Sequence, residues 1–351
     1  MSRHYTRLCN FYYGNSSKKL VNKNKTIPLN GIKEISFDQI EIITRNSKKK
    51  IFVNQIKYLP KLIKRKINFD LKKIKSKKKN FSNLDFRKIP NIMGVLNLTP
   101  DSFSDGGKFN SKKKGINHAI SLFNCGANLI DIGGESTRPG SKVIKENLEW
   151  QRIEKILKSL IKKKIPISLD TRKSRIMIKG IDLGVKLIND VSGLEFDSQT
   201  LSILKKFKVP FVIQHSQGTP ENMQKNPRYK NELLDIYDFF EKKIKLLRSK
   251  GIKHNKIILD PGIGFGKNLK HNMNLIRNIS IFHSLGFPIL VGNSRKRFIK
   301  ELSGKNDSKF RNGGTIASSI YLMMQGVQIL RIHDVNETIQ GIKIFKNIIN
   351  N

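Results

Sequence analysis

The chain has 351 residues, 38% of them hydrophobic, and a formal net charge of +41. That length suits one large domain plus an extension. No apolar run approaches the roughly 20 residues a membrane helix needs, so no membrane association is expected. Met1–Asn10 lacks the apolar centre of a signal peptide. The two cysteines, Cys9 and Cys125, lie far apart; they build neither a disulfide framework nor a zinc ligand set, and a cytoplasmic setting is expected.

The positive excess is mostly lysine, in a background rich in isoleucine and asparagine, and reads as compositional drift over solvated surfaces. It is densest at the start, where residues 1–90 hold 24 Lys+Arg against 5 Asp+Glu. Residues 1–88 read as a small basic N-terminal extension of unknown role, and 89–351 as the main domain. Within the extension Ser36–Arg45 alternates as a strand does, and Lys61–Lys79 reads as a helix running into a linker. A nucleic-acid module interleaves aromatic with basic residues. Tyr5, Phe11, Tyr12 and Tyr13 precede the lysine-rich part instead, so no nucleic-acid partner is expected.

From Ile92 onward a beat repeats: a short apolar run, a polar or glycine-rich loop, a longer amphipathic stretch. The apolar runs are Ile92–Leu96, Asn128–Ile132, Ile167–Leu169, Lys186–Ile188, Pro210–Ile213, Lys256–Leu259, Pro288–Val291 and Gln328–Ile332. Helix-like segments between them include Leu148–Lys164, Asn231–Lys250 and Gly314–Gln325, and Val335–Ile349 closes the chain. Strands alternating with helices predict an α/β protein with a parallel sheet. Eight repeats in this length favour a closed (β/α)8 TIM barrel, with an open doubly wound sheet as the alternative.

Catalytic groups in such a barrel sit where strands end. The runs lead into Asn97, Asp131, Asp170, Asn189–Asp190, His215, Asp260, Gly292 with Asn293–Lys296, and Arg331–Asp334. Asp170, Asn189 and Asp260, with Lys296, suit the donor and acceptor edge of a flat heterocycle. Arg138, Arg331 and His333 read as a cationic cluster for phosphates. Asn97 suits a divalent metal that is otherwise held by substrate oxygens. Taken singly, each aspartate also reads as a helix cap. His215 reads as structural, and Gly262–Lys267 lacks either phosphate-loop spacing, so its glycines read as tight turns or close backbone approaches.

Two long segments, IMGVLNLTPDSFSDGGKF (Ile92–Phe109) and NLIDIGGESTRPGS (Asn128–Ser141), closely resemble signatures of the dihydropteroate synthase family. SLDTRKS, LINDVSG, ILDPGIGFGK, VGNSRK and RIHDV follow in family order, so the resemblance covers residues 91–351. It implies a pterin-binding barrel that condenses a pterin diphosphate with 4-aminobenzoate in folate biosynthesis. It assigns Asp170, Asn189, Asp260 and Lys296 to the pterin, with Asp170, Asp260 and Lys296 as the catalytic set. Thr137, Arg138, Arg331 and His333 go to the diphosphate, and Asn97 to magnesium (Mg2+). Thr99, Pro100, Asp101, Phe103, Thr137, Arg138 and Pro139 go to the 4-aminobenzoate pocket. A homodimer is implied. The family's usual Met-His-Met-Gln-Gly stands here as Gln214–Gly218, QHSQG, which puts packing beside the pterin in doubt. A corrinoid methyltransferase that shares the pterin barrel would need neither NLTPDSFSDGG nor Arg331-Ile332-His333.

Overall fold

A computed structural model describes residues 3–99 and 112–350; Pro100, Asp101 and Phe103 lie outside the described residues. The chain opens with β1 (Tyr5–Tyr13), α1 (Gly14–Asn22), β2 (Ile27–Leu29), β3 (Ile32–Ile43), β4 (Lys48–Phe52) and α2 (Lys61–Lys75). The long β3 pairs antiparallel with β1 along one edge and with β2 and β4 along the other. It extends well before the predicted Ser36, because Ile32 and Ile35 join the buried cluster with Phe37 and Ile40. Strand β4 carries exposed Lys48–Lys50, the kind of charge that protects a sheet edge from further pairing. That charge hides the strand from a reading based on apolar alternation. Helix α2 stops at Lys75, short of the predicted Lys79. Beyond it Lys78 turns back, and its ammonium donates to the Gly286 carbonyl at 2.6 Å.

The extension is packed onto the rest of the chain. Tyr5 meets Tyr237 edge to face at 5.2 Å, and its hydroxyl donates to Asp238 at 3.0 Å. Arg45 pairs with Asp235 and Asp238 at 2.8 and 2.9 Å. Ser280 donates to the Leu8 carbonyl at 2.8 Å. Gly326 is tight against Leu29, where any Cβ would clash at 2.2 Å.

The second sheet is the expected barrel. Its strands are β5 (Asn91–Asn97), β6 (Leu129–Gly133), β7 (Ile167–Asp170), β8 (Leu187–Asp190), β9 (Phe211–Gln214), β10 (Ile257–Asp260), β11 (Leu290–Val291) and β12 (Ile329–Ile332). All the pairings between them are parallel. The ring closes between β10 and β11, where Leu259 bridges to Ile289 and donates to the Pro288 carbonyl at 3.0 Å. Helices α3 (Lys112–Asn124), α4 (Glu146–Lys162), α5 (Ser174–Leu183), α6 (Thr200–Phe207), α7 (Glu232–Ser249), α8 (Leu269–Arg277), α9 (Arg297–Ser303), α10 (Asn312–Met324) and α11 (Val335–Asn350) complete the domain. Among the described residues no helix is long and apolar enough to cross a membrane.

Strand periodicity explains what faces the barrel interior. Ile130, Ile132, Leu169, Ile188, Ile213, Leu259, Val291 and Leu330 join the large cluster that includes Ile153, Met177, Phe240 and Leu322 of the helices. Met93, Leu129, Leu187, Val212, Ile258, Leu290 and Ile329 form a separate apolar layer with Leu84 and Phe86. Side chains alternate along a strand, so the residue two further on points into the barrel again. That next layer is Val95, Asp131, Asn189, Gln214, Asp260, Gly292 and Arg331, with Asp170 beside Asn189 in register. The chain therefore builds an apolar floor and a polar layer directly above it.

Candidate active site

Asp131 and Asp170 are buried, and Arg331 lies between them. Its Nε is 2.6 Å from Asp131 Oδ2 and its Nη2 is 2.8 Å from Asp170 Oδ2. Asn189 donates from Nδ2 to the same Asp131 oxygen at 3.0 Å. Desolvation dominates this cluster. Burial pushes the Asp170 carboxyl up to about 8, with Arg331 opposing and Asp131 reinforcing the shift. The Arg331 guanidinium stays charged: burial disfavours its cation, but Asp131, Asp170 and Asp260 outweigh that and hold its pKa above the usual value.

On the neighbouring strands, Asp260 is buried and accepts from the Gly262 N–H at 2.8 Å. Burial raises its carboxyl to about 6. Lys296 is half-buried, with Nζ 4.2 Å from the centre of the Phe265 ring. Burial and the Arg331 charge lower its ammonium to about 8. The loop bearing Lys296 is held firmly. Asn293 donates to Ser318 at 2.7 Å and Arg295 to Asp334 at 2.8 Å.

The glycines of Gly262–Lys267 serve close backbone approach. A Cβ on Gly262 would lie 2.0 Å from the His215 carbonyl oxygen, and one on Gly266 2.5 Å from that of Gln217. Lys267 is buried under this turn. Its Nζ donates to the Phe265 carbonyl at 2.8 Å and lies 3.1 Å from His215 Nδ1. His215 is packed edge to face on Phe239 at 4.9 Å. Gln214 sits in the polar layer and reaches the Val191 carbonyl at 3.4 Å.

Burial, with Arg295 and Arg331 nearby, holds His333 well below the usual histidine range. Nδ1 is 3.0 Å from Ser294 Oγ, which also accepts the His333 backbone N–H at 3.2 Å. His333 is thus a hydrogen-bonding group, and the cation on β12 is Arg331.

Asn97 ends β5 and pairs in register with Gly133, which pairs in turn with Asp170. Thr99 is buried just beyond it. Thr137 and Arg138 are half-buried and Pro139 exposed, on the loop after β6. No group of three or more His, Cys, Asp or Glu capable of holding a metal occurs among the described residues.

Asp131 stands among the strand-end groups read from the sequence but is assigned no ligand there, although it anchors the cluster. Its signal was a lone carboxylate inside the apolar run LIDIG, at an inward strand position. Glu135, Glu149, Arg172 and Lys173 were also missed. They form a fully buried ionic cluster beneath the loop after β6, and nothing in their spacing brings them together.

Eight parallel strands thus carry a carboxylate, amide, guanidinium and ammonium set at or beyond their C-terminal ends, the arrangement of a (β/α)8 barrel enzyme. Residues 93–333 match the family model described as pterin binding enzyme. Dihydropteroate synthase of Escherichia coli strain K12 is 38% identical over 256 residues, 73% of this chain and 90% of that protein. The Yersinia pestis dihydropteroate synthase, solved with a sulfonamide drug complex, is 40% identical. It covers 76% of this chain and 96% of its own, with a TM-score of 0.73. The Xanthomonas albilineans dihydropteroate synthase, solved with 4-aminobenzoic acid, is 33% identical. Its coverage is 74% and 93%, and its TM-score 0.69. The chain belongs to the dihydropteroate synthase family and is a transferase of folate biosynthesis.

Proposed function

We infer that the chain condenses a (7,8-dihydropterin-6-yl)methyl diphosphate with 4-aminobenzoate, giving 7,8-dihydropteroate and diphosphate. The observation that carries this reading is the polar layer itself. Asp170 and Asn189 on the adjacent β7 and β8, and Asp260 on β10 one strand beyond β9, present acceptors and an amide, and Arg331 stands at the same level.

The chemical problem is charge separation. As the bond between the pterin methylene and the diphosphate breaks, positive charge grows on the pterin and negative charge on the leaving group. Fixed charges of opposite sign lower that barrier. Asp260 lies where its carboxylate stabilises the pterin; Asp170, pushed up to about 8 by burial, hydrogen-bonds the pterin beside it, and Lys296 donates to its edge. Arg331 commits N–H groups to Asp131 and Asp170, and a guanidinium has five; the rest of its fork faces the diphosphate. His333 adds a neutral hydrogen bond, and Thr137 and Arg138 approach from the loop after β6. With Thr99 and Pro139, they flank the 4-aminobenzoate. The resemblance assigns Pro100, Asp101 and Phe103 to the same pocket.

Magnesium fits the donor set in a limited way. Asn97 offers one hard carboxamide oxygen and no acidic cage surrounds it, so the diphosphate would supply the remaining ligands. Bound there, the ion would neutralise leaving-group charge. A homodimer is part of the same reading, supported by exposed Ile344 and Ile348 one turn apart on α11. So is a cytoplasmic location, supported by the free thiols of Cys9 and Cys125.

The site's ionisations make the reading testable. Asp260 loses its negative charge as pH falls through about 6, and Lys296 loses its charge as pH rises through about 8. The rate kcat/KM for dihydropteroate formation should therefore peak between these values and fall on both sides. The limbs belong to the interacting cluster, but Lys296→Met should abolish the alkaline one. A profile flat from about pH 5 to 9 would remove these two groups from the mechanism.

A further inference from the structure

We propose that Lys173 is a positioning residue that sets the loop after β6 against the pterin site by clamping Glu135 at the loop's base. The inference rests on the reading of that loop as part of the 4-aminobenzoate pocket.

Lys173 Nζ lies 2.7 Å from Glu135 Oε1 and 2.6 Å from Glu149 Oε2. Arg172 Nε is 2.9 Å from Glu135 Oε2, and its guanidinium stacks on Phe196 at 4.3 Å. Thr171 donates to Glu149 at 2.6 Å. All four charged groups are at most 7% exposed, and their charges balance. Such a cluster is weak evidence for stability, because desolvation offsets much of the attraction. A role in conformational specificity suits its location better.

That location is the neck of the loop. Glu135 Oε1 also accepts the Ile144 N–H at 2.9 Å, so one carboxylate joins the outgoing and returning strands of segment 135–144. Gly134 is jammed against α4, where a Cβ would lie 2.8 Å from the Glu149 carbonyl oxygen. Arg152 donates to the Gly134 carbonyl at 2.7 Å. Within the loop, Ser141 donates to the Ser136 and Arg138 carbonyls at 2.7 and 2.8 Å. The loop thus holds its own shape, and its aim is set at the neck. Lys173 follows Asp170 by three residues, so the clamp ties the loop to the strand that carries a pterin ligand. Thr137, Arg138 and Pro139 are thereby fixed relative to the methylene that 4-aminobenzoate attacks. Misplacement of a positioning group by about 1 Å can cost about a hundredfold in rate.

The test uses Lys173→Met, Lys173→Arg and Glu135→Gln in the full chain. It measures KM for 4-aminobenzoate, kcat, the dissociation constant for the pterin alcohol that lacks the diphosphate, and Tm. Lys173→Met should raise KM for 4-aminobenzoate about tenfold or more and lower kcat. Affinity for the pterin alcohol should stay within about twofold, because Asp170, Asn189, Asp260 and Lys296 lie outside the clamp. Glu135→Gln keeps an acceptor for Ile144 and should show the same split, less severely. Lys173→Arg should recover much of the loss. Adding Glu135→Gln to Lys173→Met should add little, since both act through one contact. A fall in Tm with kinetic constants unchanged would make the cluster merely structural and overturn the proposal. So would equal weakening toward 4-aminobenzoate and the pterin alcohol. If Lys173→Met fails to fold, Glu135→Gln decides alone. If the wild-type protein makes no dihydropteroate, the functional reading fails and this inference goes with it. Normal wild-type turnover with an unmoved KM in the variants sinks this inference only.

Discussion

Lys296→Ala and Asp260→Ala should each yield a folded protein whose kcat/KM is lower by about a thousandfold, the scale of removing a preorganised charge from a transition state. Both side chains are held in ionisation states that burial disfavours. Asp260 is raised to about 6 and Lys296 lowered to about 8, with desolvation as the main cause in each. A residue that the fold tolerates at a cost is one whose removal relieves that cost. The Tm of either variant should therefore stay near that of the wild type or rise. Asp260 also accepts the Gly262 N–H, so some local loosening of that turn is expected in its variant. Near-wild-type turnover in either variant would contradict the site assignment.

Arg331→Met should behave in the opposite way and lose stability together with activity. The guanidinium neutralises Asp131, which is 0% exposed, and Asp170, which is 5% exposed. Without it, the buried Asp131 carboxylate keeps only the Asn189 amide as a partner. Breaking one side of such a cluster costs on the order of 3 kcal/mol, because the partner charges remain buried. Turnover should fall by about a thousandfold or more, since the leaving-group cation is lost as well. Arg331→Lys should restore little, because one ammonium cannot span both carboxylates as the planar fork does. Adding Asp131→Asn to Arg331→Met removes the buried charge and should recover part of the lost Tm but none of the activity. Thermal melts and kcat/KM on the four proteins check this. A single variant that keeps the wild-type Tm would show that the carboxylates do not depend on Arg331.

The barrel was legible because its strands are short apolar runs at regular spacing and each ends in a polar group. Asp170, Asn189 and Asp260 could be found for the same reason, since each follows the last residue of an apolar run, whereas Arg331 lies within its run and was found through the RIHDV segment. Asp131 interrupts its run from within, and inward parity gives it meaning only once the floor of Met93, Leu129 and their neighbours is known. The charge state of His333 depends on burial and on Arg295 and Arg331, which no local pattern reveals. Most of the extension escaped for a simpler reason. The exposed lysines of β4 and the three residues of β2 carry no apolar periodicity, and their strand character comes from pairing with β3. The Glu135–Lys173 clamp joins side chains 38 residues apart, so only the fold brings it into view.

The most direct measurement is turnover by the purified chain supplied with pterin diphosphate, 4-aminobenzoate and magnesium, following dihydropteroate and released diphosphate together. The account predicts that the two products appear in equal amounts and that omitting any one addition stops both. Diphosphate release that proceeds without 4-aminobenzoate, or pterin binding with no product at all, would contradict it.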